Sequence, residues 1–96
     1  MDFRYKKDYL KRFDHYPREE KELIVSTDKQ IRDYYVNHSA PYGLRIKKLY
    51  QDGKDKIFEA RVSDRIRVLW VETIGVVVFT ILGNHDEIKN YLKRLK

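Results

Sequence analysis

Cysteine is absent from the 96-residue chain, which excludes a disulfide framework, a thiolate metal site and a cysteine nucleophile. Glycine and proline are scarce, with four and two copies, and neither a nucleotide-binding loop nor a cluster of metal-ligand residues can be traced. Long hydrophobic runs are missing as well. The longest nearly apolar stretch, Ile74 to Gly83, is far below the ~20 residues needed to span a bilayer. The opening segment Met1 to Lys7 is charged and lacks the apolar centre of a signal peptide. A soluble cytoplasmic protein with no membrane partner is expected. The length leaves room for one core, so a single domain over 1–96 is expected.

Charge and aromatics are what the chain has in quantity. Twenty-one Lys and Arg against 15 Asp and Glu leave a net charge of +6 and a pI near 9.5. Such an excess favours polyanions: nucleic acid, an anionic membrane surface or an acidic protein. It does not choose between catalysis and binding. Eight Tyr, four Phe and one Trp supply the large buried areas that a small core needs.

The chain divides by texture into a helical part up to about Asn37, strands from Leu44 to Gly83, and a last helix from about His85 to Leu95. Phe3–Tyr5 carries only a weak strand pattern. Tyr9, Leu10, Phe13 and Tyr16 recur at helical spacing. Pro17 suits the first position of a second helix, with Glu19 and Glu20 in its positive first turn. Leu23, Ile24, Thr27, Ile31, Tyr34 and Tyr35 continue an apolar stripe to Asn37, and the loop Ser39–Gly43 follows. Leu44 to Tyr50 reads as a strand bearing Arg45, Lys47 and Lys48, before a turn at Gln51–Asp55. Helices first and consecutive strands after predict an α+β fold, with an N-terminal helical hairpin on a small twisted antiparallel sheet and a short C-terminal helix.

Strand parity makes the sharpest statement. Phe58, Ala60 and Val62 share one face of their strand, and Glu59 and Arg61 the other. In the next strand Ile66, Val68 and Trp70 oppose Arg67 and Leu69 in the same way. A three-residue connection, Ser63-Asp64-Arg65, pairs Val62 with Ile66 and Arg61 with Arg67. Both apolar triplets then face the core, and both arginines lie together on the open side. A two-residue turn would mix the faces. Like charges directly opposite each other repel, so the pair needs an offset. That is either Glu59, on the same face as Arg61, or a bound phosphate matched to the donor fork of arginine.

After the apolar strand comes Gly83-Asn84-His85-Asp86-Glu87. Asn84 and Glu87 have capping-box spacing, which sets a helix start near His85, and the free amides there favour an anion. A histidine such as His85 can give or take a proton, and Asp86 could orient it; the plain alternative is a first-turn polar residue. Ile88, Leu92 and Leu95 form the expected buried stripe, with Tyr91 beside it as either a base-stacking ring or a core-edge tyrosine.

Gly43–Leu49, Phe58–Val62, Ile66–Trp70 and the Gly83–Glu87 ending, in this order after two helices, resemble the RelE/ParE toxin superfamily of type II toxin–antitoxin systems over essentially the whole chain. The resemblance implies a ribosome-dependent, metal-independent endoribonuclease that cleaves mRNA, needs no cofactor, and has mRNA, the ribosome and a cognate antitoxin as partners. The antitoxin is expected to be small, acidic and partly disordered. A ParE-like gyrase inhibitor and a catalytically inactive relative are the alternatives. By position, Arg61 and Arg67 match residues that hold the scissile phosphate, and His85 and Tyr91 match catalytic positions. Glu59 stands where RelE itself is basic, leaving Glu59 or His85 as base and His85 or Tyr91 as acid, with Asp86 beside them. Arg45, Lys47, Lys48 and Arg65 complete the expected RNA-binding set.

Overall fold

Phe3 and Tyr5 alternate with Arg4, and this aromatic face makes the first segment a strand, β1 (Asp2–Tyr5). The computed structural model describes residues 1–95; Lys96, the last residue of the expected domain, lies outside them. Helices α1 (Lys7–His15) and α2 (Arg18–Asn37) follow, then a short 3₁₀ turn at Tyr42–Leu44. Strands β2 (Lys47–Asp52), β3 (Asp55–Arg61), β4 (Arg67–Thr73) and β5 (Val76–Gly83) lead to helix α3 (His85–Leu95). The sheet order is β1-β5-β4-β3-β2.

Two expectations need correction here. The helices are not N-terminal, because β1 precedes them, and the sheet is mixed, because β1 runs parallel to β5. Antiparallel pairing follows from short hairpin turns, but β1 and β5 are joined by the whole helical segment and the other strands, so no turn dictates their direction. Side chains do. Register places Phe3 opposite Val77 and Tyr5 opposite Phe79. The Phe79 ring gathers Tyr5 at 4.9 Å, Tyr9 at 5.9 Å, and Phe3 and Trp70 at 6.3 Å. The Tyr5 hydroxyl then donates to Asp28 on α2 at 2.7 Å.

On this face of the sheet α1 and α2 cover the main core, which contains Tyr9, Ile24, Ile31, Ala60, Val68, Trp70, Val77, Phe79 and Leu82. In α2 the buried positions are Ile24, Thr27 and Ile31, one stripe at helical spacing. Leu10 and Leu23, expected in the stripes, are exposed instead. Trp70 is fully buried, stacks on Phe58 at 5.6 Å and donates its indole N–H to the Tyr35 hydroxyl at 2.8 Å. Truncating it to alanine removes about 3–5 kcal/mol.

The expected strand from Leu44 begins only at Lys47, since Leu44 is buried within the 3₁₀ turn and Arg45 leaves it with a left-handed backbone, φ 49°. In β5 the register slips between the Trp70–Phe79 and Leu69–Ile81 pairs, so Thr80 is a bulge. That extra residue reverses the faces. Leu82 enters the main core, whereas Ile81 joins Leu69, Ile88 and Tyr91 in a second cluster beneath α3. The arginine side of the sheet is therefore half roofed by α3. Within α3, Ile88 and Tyr91 are the buried residues and Leu95 is exposed, correcting the expected stripe. Leu95 instead lines an open cleft with Tyr50, Asp52, Ile57 and Leu92 at the β2 edge of the sheet.

Candidate active site

The β3–β4 register pairs Arg61 with Arg67, and Val62 N–H donates to the Ile66 carbonyl at 2.9 Å. The Ser63 hydroxyl accepts from the backbone amides of Arg65 at 3.3 Å and Ile66 at 3.1 Å, closing the connection as a serine turn. Across β4, Arg67 pairs with Gly83. Arg61, Arg67 and Gly83 thus form one row over three adjacent strands, about 10 Å from end to end at the usual strand spacing. His85 begins α3 just past the end of that row.

Each arginine has a carboxylate. Arg67 donates to Glu59 at 2.7 Å, diagonally across the strands, and the Glu59 side chain is only 11% exposed. Arg61 reaches Asp64 at 3.8 Å, a side chain standing almost entirely in water. These carboxylates offset the repulsion of the paired cations. Arg61 keeps one polar deficit: its Nε is buried with no hydrogen-bond partner among the described residues. Lys47 pairs with Glu59 across β2–β3 and so shares the arginine face, whereas Lys48 pairs with Phe58 on the opposite face. Arg45 stands apart, its guanidinium 6.0 Å from the ring centre of the exposed Tyr42.

The start of α3 is built from both ends. Asn84 Oδ1 accepts from Glu87 N–H at 2.8 Å, and Glu87 Oε1 accepts from Asn84 N–H at 2.9 Å: a reciprocal capping box. The second oxygen of Glu87 accepts from Arg12 of α1. The Asn84 amide first, and then the Arg12 guanidinium, hold the Glu87 carboxyl below its ordinary range. Gly83 permits the close approach, since a Cβ there would lie 2.9 Å from the Glu87 Cβ.

An open cleft of about 470 Å³ brings His85, Asp86, Asn84 and Glu87 together with Arg65 and Asp64 at the hairpin tip and with Tyr16 and Glu20. His85 and Asp86 are both exposed. Tyr91 is 9% exposed, packs in the cluster beneath α3, and has the Arg94 guanidinium 5.3 Å from its ring centre. Tyr16 at this cleft and Arg12 at the cleft beside it carry no signal in the sequence beyond helical periodicity, so their places come from the fold alone. Among the described residues no group of three or more His, Asp or Glu side chains is placed to hold a metal ion, and no helix is long and apolar enough to cross a membrane.

No protein-family model matches the chain, and no curated protein matches it in sequence. Solved structures do match. RelE in the archaeal RelE–RelB complex of Pyrococcus horikoshii superposes with a TM-score of 0.70 at 16% identity, over 86% of this chain and 92% of that one. The chain has the RelE fold. The RelB–RelE antitoxin–toxin complex of Methanococcus jannaschii gives 0.64 at 18% identity, over 92% and 96% of the two chains. YafQ of E. coli gives 0.62 at 15% identity, over 91% and 96%. In this RelE-like frame the arginine row and the α3 start lie at the same end of the sheet.

Proposed function

We propose that this RelE-like chain is the toxin of a type II toxin–antitoxin system and a ribosome-dependent endoribonuclease acting on mRNA. The observation that carries the reading is the Arg61–Arg67 pair in register with Gly83, two residues before His85. Cleavage of RNA by its own 2′-hydroxyl needs cations around a pentacoordinate phosphate and groups that move two protons. Arg61 and Arg67 would hold the phosphate oxygens with their guanidinium donors. The 2′-oxygen attacks phosphorus, its proton passes to a base, and the 5′-oxygen leaves with a proton from an acid. The products are a cyclic phosphate and a 5′-hydroxyl.

His85 is the proton-handling group in this proposal, because it is exposed at the cleft and an imidazole can both accept and donate a proton. Glu59 serves as the charge partner of Arg67, to which its buried carboxylate is already committed. Tyr91 is assigned to packing under α3, in keeping with its burial. The partner that restrains this activity would be an antitoxin, as RelB accompanies RelE in the similar archaeal structures. The net charge of +6 suits an acidic one. Mapping message ends after incubation with translating ribosomes tests the reading. Codon-phased cuts support it; supercoiling inhibition without cuts supports a gyrase poison instead.

A further inference from the structure

We infer that Arg12 is a positioning residue, acting through Glu87 to fix the first turn of α3 and with it His85. The inference rests on the role proposed above for His85. Capping boxes are usually closed locally, by two side chains and two amides. Here the same glutamate is also gripped from outside the helix. One carboxylate oxygen accepts from the Asn84 amide, and the other from Arg12, 75 positions earlier in the chain. Arg12 belongs to α1, on the main-core face of the sheet, whereas α3 covers the opposite face. The contact therefore ties the two helical layers together around the end of the sheet that carries the arginine row.

Three further observations support the clamp. Gly83 leaves room for Glu87 that any side chain would fill, at 2.9 Å from its Cβ. Tyr16 and Glu87 line both the His85 cleft and a neighbouring cleft of about 400 Å³ with Arg12 and His15, so the clamp forms the wall between the two. The Arg12 and Glu87 side chains are only about one-third exposed, at 36% and 38%, which limits their freedom to separate. With Arg12 removed, Asn84 and Glu87 keep the local box, but the α3 start loses its link to α1. Small displacements of a proton-transfer group are expensive in rate.

The test uses the full chain with Arg12→Ala, Arg12→Lys and Glu87→Gln. Hydrogen exchange at the Glu87 and Ile88 amides, which donate to Asn84, is expected to speed about 3–5-fold in Arg12→Ala, as loss of one partly exposed ion pair implies, with the melting midpoint lowered by about 3–7 °C. Cleavage on ribosomes should lose about tenfold in kcat with KM nearly constant. Glu87→Gln, which keeps a capping oxygen but loses the charge, should show a smaller loss of the same kind, and Arg12→Lys should restore most of it. A raised KM with kcat intact would mean that Arg12 touches RNA itself and would overturn the inference, as would unchanged exchange. The exchange readout needs no RNA. If the wild-type protein cuts no message, the proposed function fails, and faster exchange in Arg12→Ala still upholds the clamp.

Discussion

Replacing Glu59 by glutamine separates its two conceivable roles. The substitution keeps the side-chain shape and one acceptor oxygen but removes the negative charge that Arg67 binds at 2.7 Å. A hydrogen bond to a charged group contributes about 1.5–3 kcal/mol and a neutral one about 1 kcal/mol. The Arg67 side chain is about one-third exposed, so screening trims the difference to about 1 kcal/mol. For a domain of this size that lowers the melting midpoint by about 4–8 °C. The unmasked arginine row should then bind anions more tightly than the wild type does. Inorganic phosphate at ten times its dissociation constant would return about 1.4 kcal/mol. Thermal melts of both proteins across a phosphate series, with chloride at matched ionic strength as control, measure this. Cleavage should fall by less than about tenfold, since a general base would account for about 10²–10⁴. A variant of unchanged stability whose kcat collapses would make Glu59 the base and refute the reasoning.

Gly83→Ala forces a methyl group to 2.9 Å from the Glu87 Cβ, so denaturant unfolding should show a loss of about 1–3 kcal/mol. Asn84→Ala removes the oxygen that accepts the Glu87 amide and should cost about 1 kcal/mol in the same assay. Glu87 is held below its ordinary range by the Asn84 amide and then Arg12. Its contribution is thus present above the usual glutamate pKa and is lost as pH falls through the lower folded value, and acid melts of Arg12→Ala, which removes the second of these causes, should show a smaller loss than those of wild type. Burial, foremost, raises the pKa values of Tyr5, Tyr9 and Tyr35, aided at Tyr5 by its bond to Asp28. The unfolded chain therefore releases protons first, and stability should fall as pH rises beyond about 10; a flat alkaline melting profile would contradict the burial of these rings.

Local features were legible in the sequence because their rules are local. Alternation and a three-residue connection sufficed for the Arg61–Arg67 pair, and the spacing of Asn84 and Glu87 sufficed for the capping box and the start of α3. The helix end at Asn37 was marked by the residues after it, where His38 takes the left-handed cap. What escaped depends on contacts between distant segments. The parallel pairing of β1 with β5 follows from rings collecting around Phe79, which no turn announces. The Thr80 bulge exchanges the faces of Ile81 and Leu82, and period-two reasoning runs straight through it. Without that bulge the open side appeared wholly open, and Tyr91 appeared beside the buried stripe when it lies in it. For the candidate site, the arginines, His85 and their order were readable, whereas the commitment of Glu59 to Arg67 and the reach of Arg12 to Glu87 required the fold.

The most direct test of the central claim is the map of message 5′ ends from translating ribosomes incubated with the protein. The account predicts codon-phased cuts that disappear with Arg67→Ala and with His85→Ala, each variant remaining folded by circular dichroism. Cuts that persist in both variants, or no cuts from the wild-type protein, would contradict it.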